Sequence, residues 1–253
     1  DDGQLIFTKS SGKLMAWSAT SPIAHAGSTE RIEAFITGLC AVSADEYVTT
    51  VADAAGLAVY GLDAPRRLIA AFQDGTIRDI HLGSDAGDGM VYARMDRTGD
   101  IYRIRRTQLT FAESAGLNTL LDRFVSPVVV ATLSQMRVTT VDGETTLRIE
   151  YENGDDNIGQ RWFRDENAVT RDEFTDAYLS IIALQFDQTA PQEAAGTSLL
   201  ADVTFTLRDG STSTVRYEAC DAFYALVTTD GGGRFLVRLT DVENMLTVLK
   251  GEK

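Results

Sequence analysis

Two histidines, His25 and His81, are the first residues to test for catalysis, because histidine is the most frequent general base in enzymes. A Ser-His-Asp site would need one of them beside a serine and a carboxylate. His25 precedes a predicted helix in the segment IAHAGS, and His81 alternates with apolar residues in a predicted strand. Neither lies in a nucleophile motif such as GxSxG. We therefore predict no catalytic residue, and we expect that the chain is not an enzyme.

Cofactor motifs are also absent from the sequence. No GxGxxG segment opens a helix after a strand, and there is no GxxxxGK[ST] segment. The three consecutive glycines of TTDGGGR (228–234) lie between two predicted antiparallel strands, where a turn explains them. We predict no cofactor-binding residue and no cofactor.

Metal ligands are equally sparse. Cys40 and Cys220 lie in no CxxC motif, which argues against structural zinc, and the sequence favours two free, buried thiols over a disulfide. The best oxygen cluster is EYENGDDNIG (150–159), whose residues 152–157 are the ligand types that calcium takes. Its spacing does not match an EF-hand loop, and a solvent-facing hairpin loop would look the same. We predict no metal ligand and leave calcium at this loop as an open alternative.

The charge of the chain excludes whole classes of partner. The chain has 253 residues and a formal net charge of −14. Nucleic-acid binding needs a clustered excess of Lys and Arg, so we predict no nucleic-acid partner. The same charge argues against broad contact with an anionic membrane surface.

The basic residues are nevertheless unevenly placed. The chain has 19 Arg and 4 Lys, and eight of the arginines lie between Arg66 and Arg106. One interpretation is a local surface for an anion or a partner. The other is a set of solvated strand faces, interleaved with Asp74, Asp79, Asp96 and Asp100.

Two helices are predicted from apolar spacing. Both STERIEAFITGLCAV (28–42) and TRDEFTDAYLSIIAL (170–184) place apolar residues at i, i+3, i+4 and i+7, and a shift of 142 residues superposes the two sets. Ser28 or Thr29 is expected to cap the first helix, and Thr170 with Glu173 makes a capping box at the second.

Antiparallel strands are predicted after each helix. Alternating runs flank the Asp74-Gly75 and Asp209-Gly210 pairs, and Asp-Gly between such runs is a strong hairpin signal. Two more strands are predicted after each of these hairpins. Each helix is therefore followed by a predicted four-stranded antiparallel meander. A further hairpin is expected about Asp142-Gly143, and a shorter front piece ends at Trp17.

These elements predict an α+β fold of two tandem repeats. Each repeat would consist of a front β-hairpin, one helix and a four-stranded antiparallel meander. We predict a first repeat over residues 1–114, a connector over 115–127 with a short helix, and a second repeat over 128–253. Trp17 and Trp162 each precede a predicted helix, and we expect them to fill the helix–sheet cores.

The first repeat also resembles a known family. The segments YGLDAP (60–65), DG (74–75), LG (82–83), VYAR (91–94) and GDIYRI (99–104) resemble a bacterial family defined by a domain of unknown function. The resemblance covers most of the chain. It implies a membrane-anchored, extracytoplasmic protein, often encoded beside ABC transporters of the gliding-motility type. The second copy departs from the motif, with GTSLLA (196–201) where GLDAP would stand.

The resemblance supplies no catalytic residues. We interpret Gly61, Leu62, Asp63 and Pro65 as turn residues that mark the fold. The chain begins without Met, so we expect a leader or anchor outside this sequence, and membrane contact only through that anchor.

The expected function is a non-enzymatic extracytoplasmic accessory or interaction module of an ABC transporter or cell-envelope system. The expected partner is an ABC transporter subunit or an envelope protein. The alternative is a small-molecule or glycan-binding protein with a site between the two repeats. Exposed side chains among five tyrosines would favour that alternative: Tyr60, Tyr92, Tyr102, Tyr151 and Tyr224.

Overall fold

The computed structural model describes residues 3–10, 17–51, 53–95, 99–151 and 159–251. Within these ranges the α-helices are α1 (Thr29–Ala41), α2 (Ala54–Val59), α3 (Thr110–Glu113), α4 (Leu117–Leu120), α5 (Arg171–Ile182) and α6 (Leu239–Lys250). Short 3-10 helices cover Arg106–Leu109 and Val130–Thr132.

The described strands form three antiparallel sheets, in each of which neighbouring strands are hydrogen-bonded in the following spatial order. The three-stranded sheet is β1 (Ile6–Lys9), β2 (Trp17–Ser21) and β3 (His25–Ala26). The five-stranded sheet is β4 (Glu46–Thr50), β8 (Asp100–Arg105), β7 (Met90–Met95), β6 (Ile77–Gly87) and β5 (Arg66–Ala71). The nine-stranded sheet is β12 (Asn167–Val169), β11 (Gln160–Arg164), β10 (Gly143–Tyr151), β9 (Leu133–Thr140), β14 (Ser198–Leu207), β15 (Thr212–Ala219), β16 (Tyr224–Thr229), β17 (Arg234–Arg238) and β13 (Gln188–Thr189).

The chain divides into two compact units. The inserted unit is Ser28–Leu120, and the discontinuous unit combines Asp1–Gly27 with Leu121–Lys253. The predicted repeat boundaries, 1–114, 115–127 and 128–253, differ from these bounds, because the front segment is grouped with the C-terminal half rather than with α1. The duplication itself stays a prediction.

The inserted unit packs α1 and the segment after β8 on one face of the five-stranded sheet. Leu39 of α1 and Ile80 of β6 are both completely buried in this core. Phe35 and Phe111 meet edge to face, with ring centroids 5.2 Å apart. The predicted apolar face of α1 therefore faces the sheet, although the Ser28 side chain makes no capping hydrogen bond.

The discontinuous unit carries α5 and α6 with the nine-stranded sheet. The four predicted apolar residues of α5 are all buried, and the capping box of Thr170 and Glu173 is present. Trp162 of β11 is half-buried and contacts Phe174 of α5, with ring centroids 4.7 Å apart, so it packs against the helix as predicted. Trp17 is half-buried in β2, with the Lys9 amine 5.5 Å from its ring centroid.

The α+β class is confirmed, and both predicted meanders are present, as β5–β8 and as β14–β17. Three local expectations were incomplete. The C-terminal helix α6 was missed, although Val242, Met245 and Leu249 are spaced for one helical face and are buried. Strand β4 was also missed, because it is a short, largely exposed edge strand. The single connector helix is instead two short helices, α3 and α4, separated by Ser114–Gly116.

Candidate binding face

Strand alternation on the five-stranded sheet separates an apolar face from a polar one. Leu68, Ile80 and Ala93 point into the core. Their neighbours in sequence point the other way, and the register aligns Arg67 with His81 and His81 with Arg94. We call this side the outer face, and its described members include Arg67, Ile69, Ile77, Asp79, His81, Tyr92 and Arg94.

Asp79 is the buried centre of the outer face. It is 1% exposed, although its carboxylate is on a polar side of the sheet. Arg67 donates two hydrogen bonds to it, from Nε to Oδ1 at 2.8 Å and from Nη2 to Oδ2 at 2.7 Å. His81 Nε2 lies 3.1 Å from Oδ1. The hydrogen bond from Arg67, opposed in part by burial, lowers the pKa of Asp79, so its carboxylate is ionised at neutral pH.

His81 is held neutral beside that carboxylate. Burial lowers its pKa, and the charges of Arg94 and Arg67 act in the same direction, while Asp79 opposes them. Because ionised Asp79 only accepts hydrogen bonds, the ring hydrogen that faces it belongs to Nε2. The pair has the geometry of a histidine oriented by a carboxylate. Among the described residues, no serine or cysteine is hydrogen-bonded to this ring.

The YGLDAP segment packs against this sheet at β6. Tyr60 follows α2, and its carbonyl accepts a hydrogen bond from the Ser84 amide at 2.8 Å. Gly83 needs to be glycine here, since an added Cβ would lie 2.2 Å from the Tyr60 oxygen. Gly61 has a φ of 66°, and Leu62 is 4% exposed. These contacts agree with the interpretation of the motif as part of the fold.

The arginine-rich stretch consists mostly of satisfied side chains. Arg97 lies outside the described residues, which leaves seven of the eight arginines. Six have partners: Arg66 with the Ala112 carbonyl, Arg67 with Asp79, Arg78 with the Val42 carbonyl, Arg103 with Glu46, Arg105 with Asp45 and Arg106 with Asp85. Arg94 is the exception. Six of the seven described arginines therefore have partners within the unit, and a surface for an anion or a partner stays a prediction.

Apolar side chains lie beside the row of Arg67, His81 and Arg94, at the end of the β5–β6 hairpin. Ile69 is 46% exposed, Ile77 is 39% exposed and Phe72 is 38% exposed. Ile69 is opposite Asp79, and Ala71 is opposite Ile77, so the two isoleucines are on the same side as Arg67. Contiguous exposed apolar residues next to polar ones are typical of protein interaction sites.

The other candidates from the sequence serve packing or lie elsewhere. His25 is half-buried in the discontinuous unit, 4.7 Å from the Phe235 ring centroid and with Nε2 3.1 Å from the Asp122 carbonyl. Burial lowers its pKa. Both cysteines are free thiols, but Cys40 is exposed and Cys220 is half-buried, so the expectation of buried thiols was wrong.

Two sets of sequence candidates remain, the loop proposed for calcium and the five tyrosines proposed for a glycan site. Residues 152–157, the calcium alternative, lie outside the described residues. In the described ranges no group of three His, Cys, Asp or Glu side chains is arranged to hold a metal ion. All five tyrosines that would favour a glycan site are half-buried, and Tyr60 and Tyr92 contact each other, with ring centroids 4.9 Å apart.

The contact between Asp79 and His81 was not predicted from the sequence. A signal was available, because Asp79 and His81 are two residues apart in a predicted strand and so share a face. The partner Arg67 could be found only through the register of the hairpin about Asp74-Gly75.

A family model matches this chain over residues 17–202, and it is described as a domain of unknown function, DUF4340. The matched span contains every residue of the outer face. No curated protein and no solved structure matches the chain. In the described ranges, no helix combines the length and the apolar composition that crossing a membrane requires.

Proposed function

We propose that this chain, which belongs to the DUF4340 family of unknown function, is a non-enzymatic interaction module of an ABC transporter or cell-envelope system. It acts outside the cytoplasm and is held at the membrane by an anchor outside this sequence. Its outer face binds the partner protein.

The outer face carries this proposal. Ile69, Phe72 and Ile77 leave apolar surface exposed on an edge hairpin, and Arg94 lies nearby without a partner among the described residues. Apolar contacts beside a few charged groups are the usual composition of a protein interface. The His81–Asp79 pair gives this face polarity, while the family motif at Tyr60 supports the sheet from the side of α2.

The test is recovery of partners from the native membrane. The full-length, anchored protein is purified from cells that express an ABC transporter of the gliding-motility type, and the proteins that come with it are identified by mass spectrometry. We expect transporter or envelope subunits. Ile69→Ser should reduce their recovery, because it removes the central apolar side chain of the hairpin surface.

Val141→Ser is the matched control. Val141 is 79% exposed in the β9–β10 turn of the discontinuous unit, so the substitution removes an exposed aliphatic side chain away from the outer face. Recovery should be unchanged in this variant. If the wild type brings down no transporter or envelope subunit, or if both variants lose them equally, the proposal is wrong.

A further inference from the structure

Arg94 is the one described arginine of the stretch from Arg66 to Arg106 that has no hydrogen-bond or ion-pair partner among the described residues. It lies in β7, between its cross-strand neighbours His81 of β6 and Ile101 of β8. The side chain is half-buried, unlike a solvated arginine at an edge. Partial burial of a cation is unfavourable unless an anion compensates it.

Among the described residues, the carboxylate of this row, Asp79, is already engaged. Asp79 accepts both hydrogen bonds of Arg67 and contacts His81. On the neighbouring strand, Arg103 pairs with Glu46 at 2.7 Å and with Asp88 at 3.5 Å. Within the described residues, the row Arg67–His81–Arg94 therefore holds two guanidinium groups and an imidazole against one carboxylate, that of Asp79.

The two cations and the imidazole act on one another. The positive charges of Arg94 and Arg67 both disfavour protonation of His81, whereas Asp79 favours it. An anion bound at Arg94 would offset the positive charge of Arg94, so protonation of His81 would become more favourable. Binding and protonation of His81 are then linked, since the anion favours the charged imidazole.

We propose that Arg94 and His81 form a subsite on the outer face that binds an oxyanion, a phosphate or a carboxylate, of a ligand or partner. The guanidinium group of Arg94 donates to the oxyanion, in the paired geometry that suits carboxylates and phosphates. His81 takes up a proton on binding and adds a second positive charge. Arg67 keeps Asp79 engaged, so the carboxylate is less available to compete for Arg94. This inference rests on the proposed function, because it places a charged contact on the face that binds the partner.

The chain offers a direct probe, since it has only two histidines. Imidazole signals of the purified protein are followed by NMR during titration with inorganic phosphate, sodium acetate or sodium chloride at constant ionic strength. We expect a saturable shift of His81 and a higher titration midpoint with phosphate or acetate, and neither change with chloride. His25, packed against Phe186 and Phe235 in the other unit, is the internal reference.

Substitution of the arginine separates this site from general salt effects. Arg94→Gln should weaken anion binding by about tenfold or more, because it removes charge-assisted hydrogen bonds. Arg94→Lys keeps the charge and should weaken binding less. Arg216→Gln removes the same charge from β15 of the nine-stranded sheet, where Arg216 pairs with Asp202, and should leave binding unchanged.

Three results would overturn the subsite: no saturable shift of His81 with either oxyanion, equal shifts of His81 and His25, or wild-type affinity in folded Arg94→Gln. Comparison of phosphate with acetate shows which oxyanion is preferred. Loss of partner recovery in Ile69→Ser with no oxyanion effect at His81 would overturn the subsite and leave the proposed function standing. If oxyanions bind at His81 but no transporter or envelope subunit is recovered, the proposed function is overturned and the subsite stands.

Discussion

At the scale of single residues, Asp79 is the group on which the outer face depends. Asp79→Asn keeps the size of the side chain but replaces the carboxylate, whose two oxygens accept the hydrogen bonds from Arg67, with a neutral amide. We expect the free energy of unfolding to fall by about 1–3 kcal/mol, because buried donors and acceptors lose their match. Chemical denaturation at pH 7 measures this change.

The control is a similar pair that is more exposed. Arg216 also makes two hydrogen bonds to one carboxylate, at 2.9 and 3.0 Å, but Asp202 is 29% exposed. Asp202→Asn should therefore cost at most about 1 kcal/mol. If Asp79→Asn lowers the free energy of unfolding no more than Asp202→Asn does, burial does not strengthen the contribution of the Arg67–Asp79 pair to stability.

The contribution of Asp79 should depend on pH in one direction. Its pKa is lower in the folded protein than in the unfolded chain, mainly because Arg67 donates to the carboxylate. The folded state therefore binds fewer protons, and stability rises with pH through this range. The difference between wild type and Asp79→Asn should be full above about pH 5 and should shrink below the unfolded pKa of about 3.9. An unchanged difference at a pH of about 2–3, measured by denaturation, would contradict this.

Tyr217 offers a prediction of the opposite sign. Its side chain is completely buried, and its hydroxyl has no hydrogen-bond partner among the described residues. Burial raises its pKa. Tyr217→Phe should leave stability unchanged or raise it by up to about 1 kcal/mol, because a buried, unmatched hydroxyl is removed.

Tyr178 is the matched tyrosine, since its hydroxyl donates to the Val128 carbonyl. Tyr178→Phe should lower the free energy of unfolding by about 1 kcal/mol. Thermal unfolding of the two variants side by side distinguishes them. A loss of stability in Tyr217→Phe equal to that in Tyr178→Phe would mean that the Tyr217 hydroxyl has a partner.

At the scale of elements, the two predicted helices begin differently. Thr170 accepts from the Glu173 amide at 3.2 Å, while the Glu173 carboxylate accepts from the Thr170 amide at 2.8 Å. Thr170→Ala should cost about 1 kcal/mol of stability. Ser28→Ala at the start of α1 should cost much less, because the Ser28 side chain makes no capping hydrogen bond. Equal losses in denaturant unfolding would contradict this difference.

At the scale of the whole molecule, the inserted unit has the features of an independent folding unit. Ser28 and Leu120 are its two ends, and they are joined by a backbone hydrogen bond of 2.8 Å. The unit has its own core around Leu39 and Ile80. Residues 28–120 expressed alone should therefore unfold cooperatively, with a dispersed NMR spectrum.

The reverse deletion tests the remaining unit. Gly27 and Leu121 form a bridge with each other, so joining them directly should leave the discontinuous unit folded. Circular dichroism and thermal melting of both proteins measure the outcome. If residues 28–120 remain unfolded alone while the joined remainder folds, the inserted unit depends on the rest of the chain.

Local patterns allowed much of this molecule to be predicted from its sequence. The apolar spacing of α1 and α5, the capping box at Thr170 and the Asp-Gly hairpin turns are all encoded within a few residues of one another. The meanders follow from the same local signals, because consecutive antiparallel strands joined by tight turns pair with their neighbours. The sequence alone therefore determined the α+β class and the faces of the strands.

Only the tertiary structure decided which distant residues meet. The front segment 3–27 shares a unit with residues after Leu121, through contacts such as that of His25 with Phe235. The pairing of Arg67 with Asp79 depends on strand register, and Arg94 stands out only after the partners of the other arginines are placed. The physical reason is that charge and composition are properties of single residues, whereas pairing, burial and the absence of a partner depend on long-range packing.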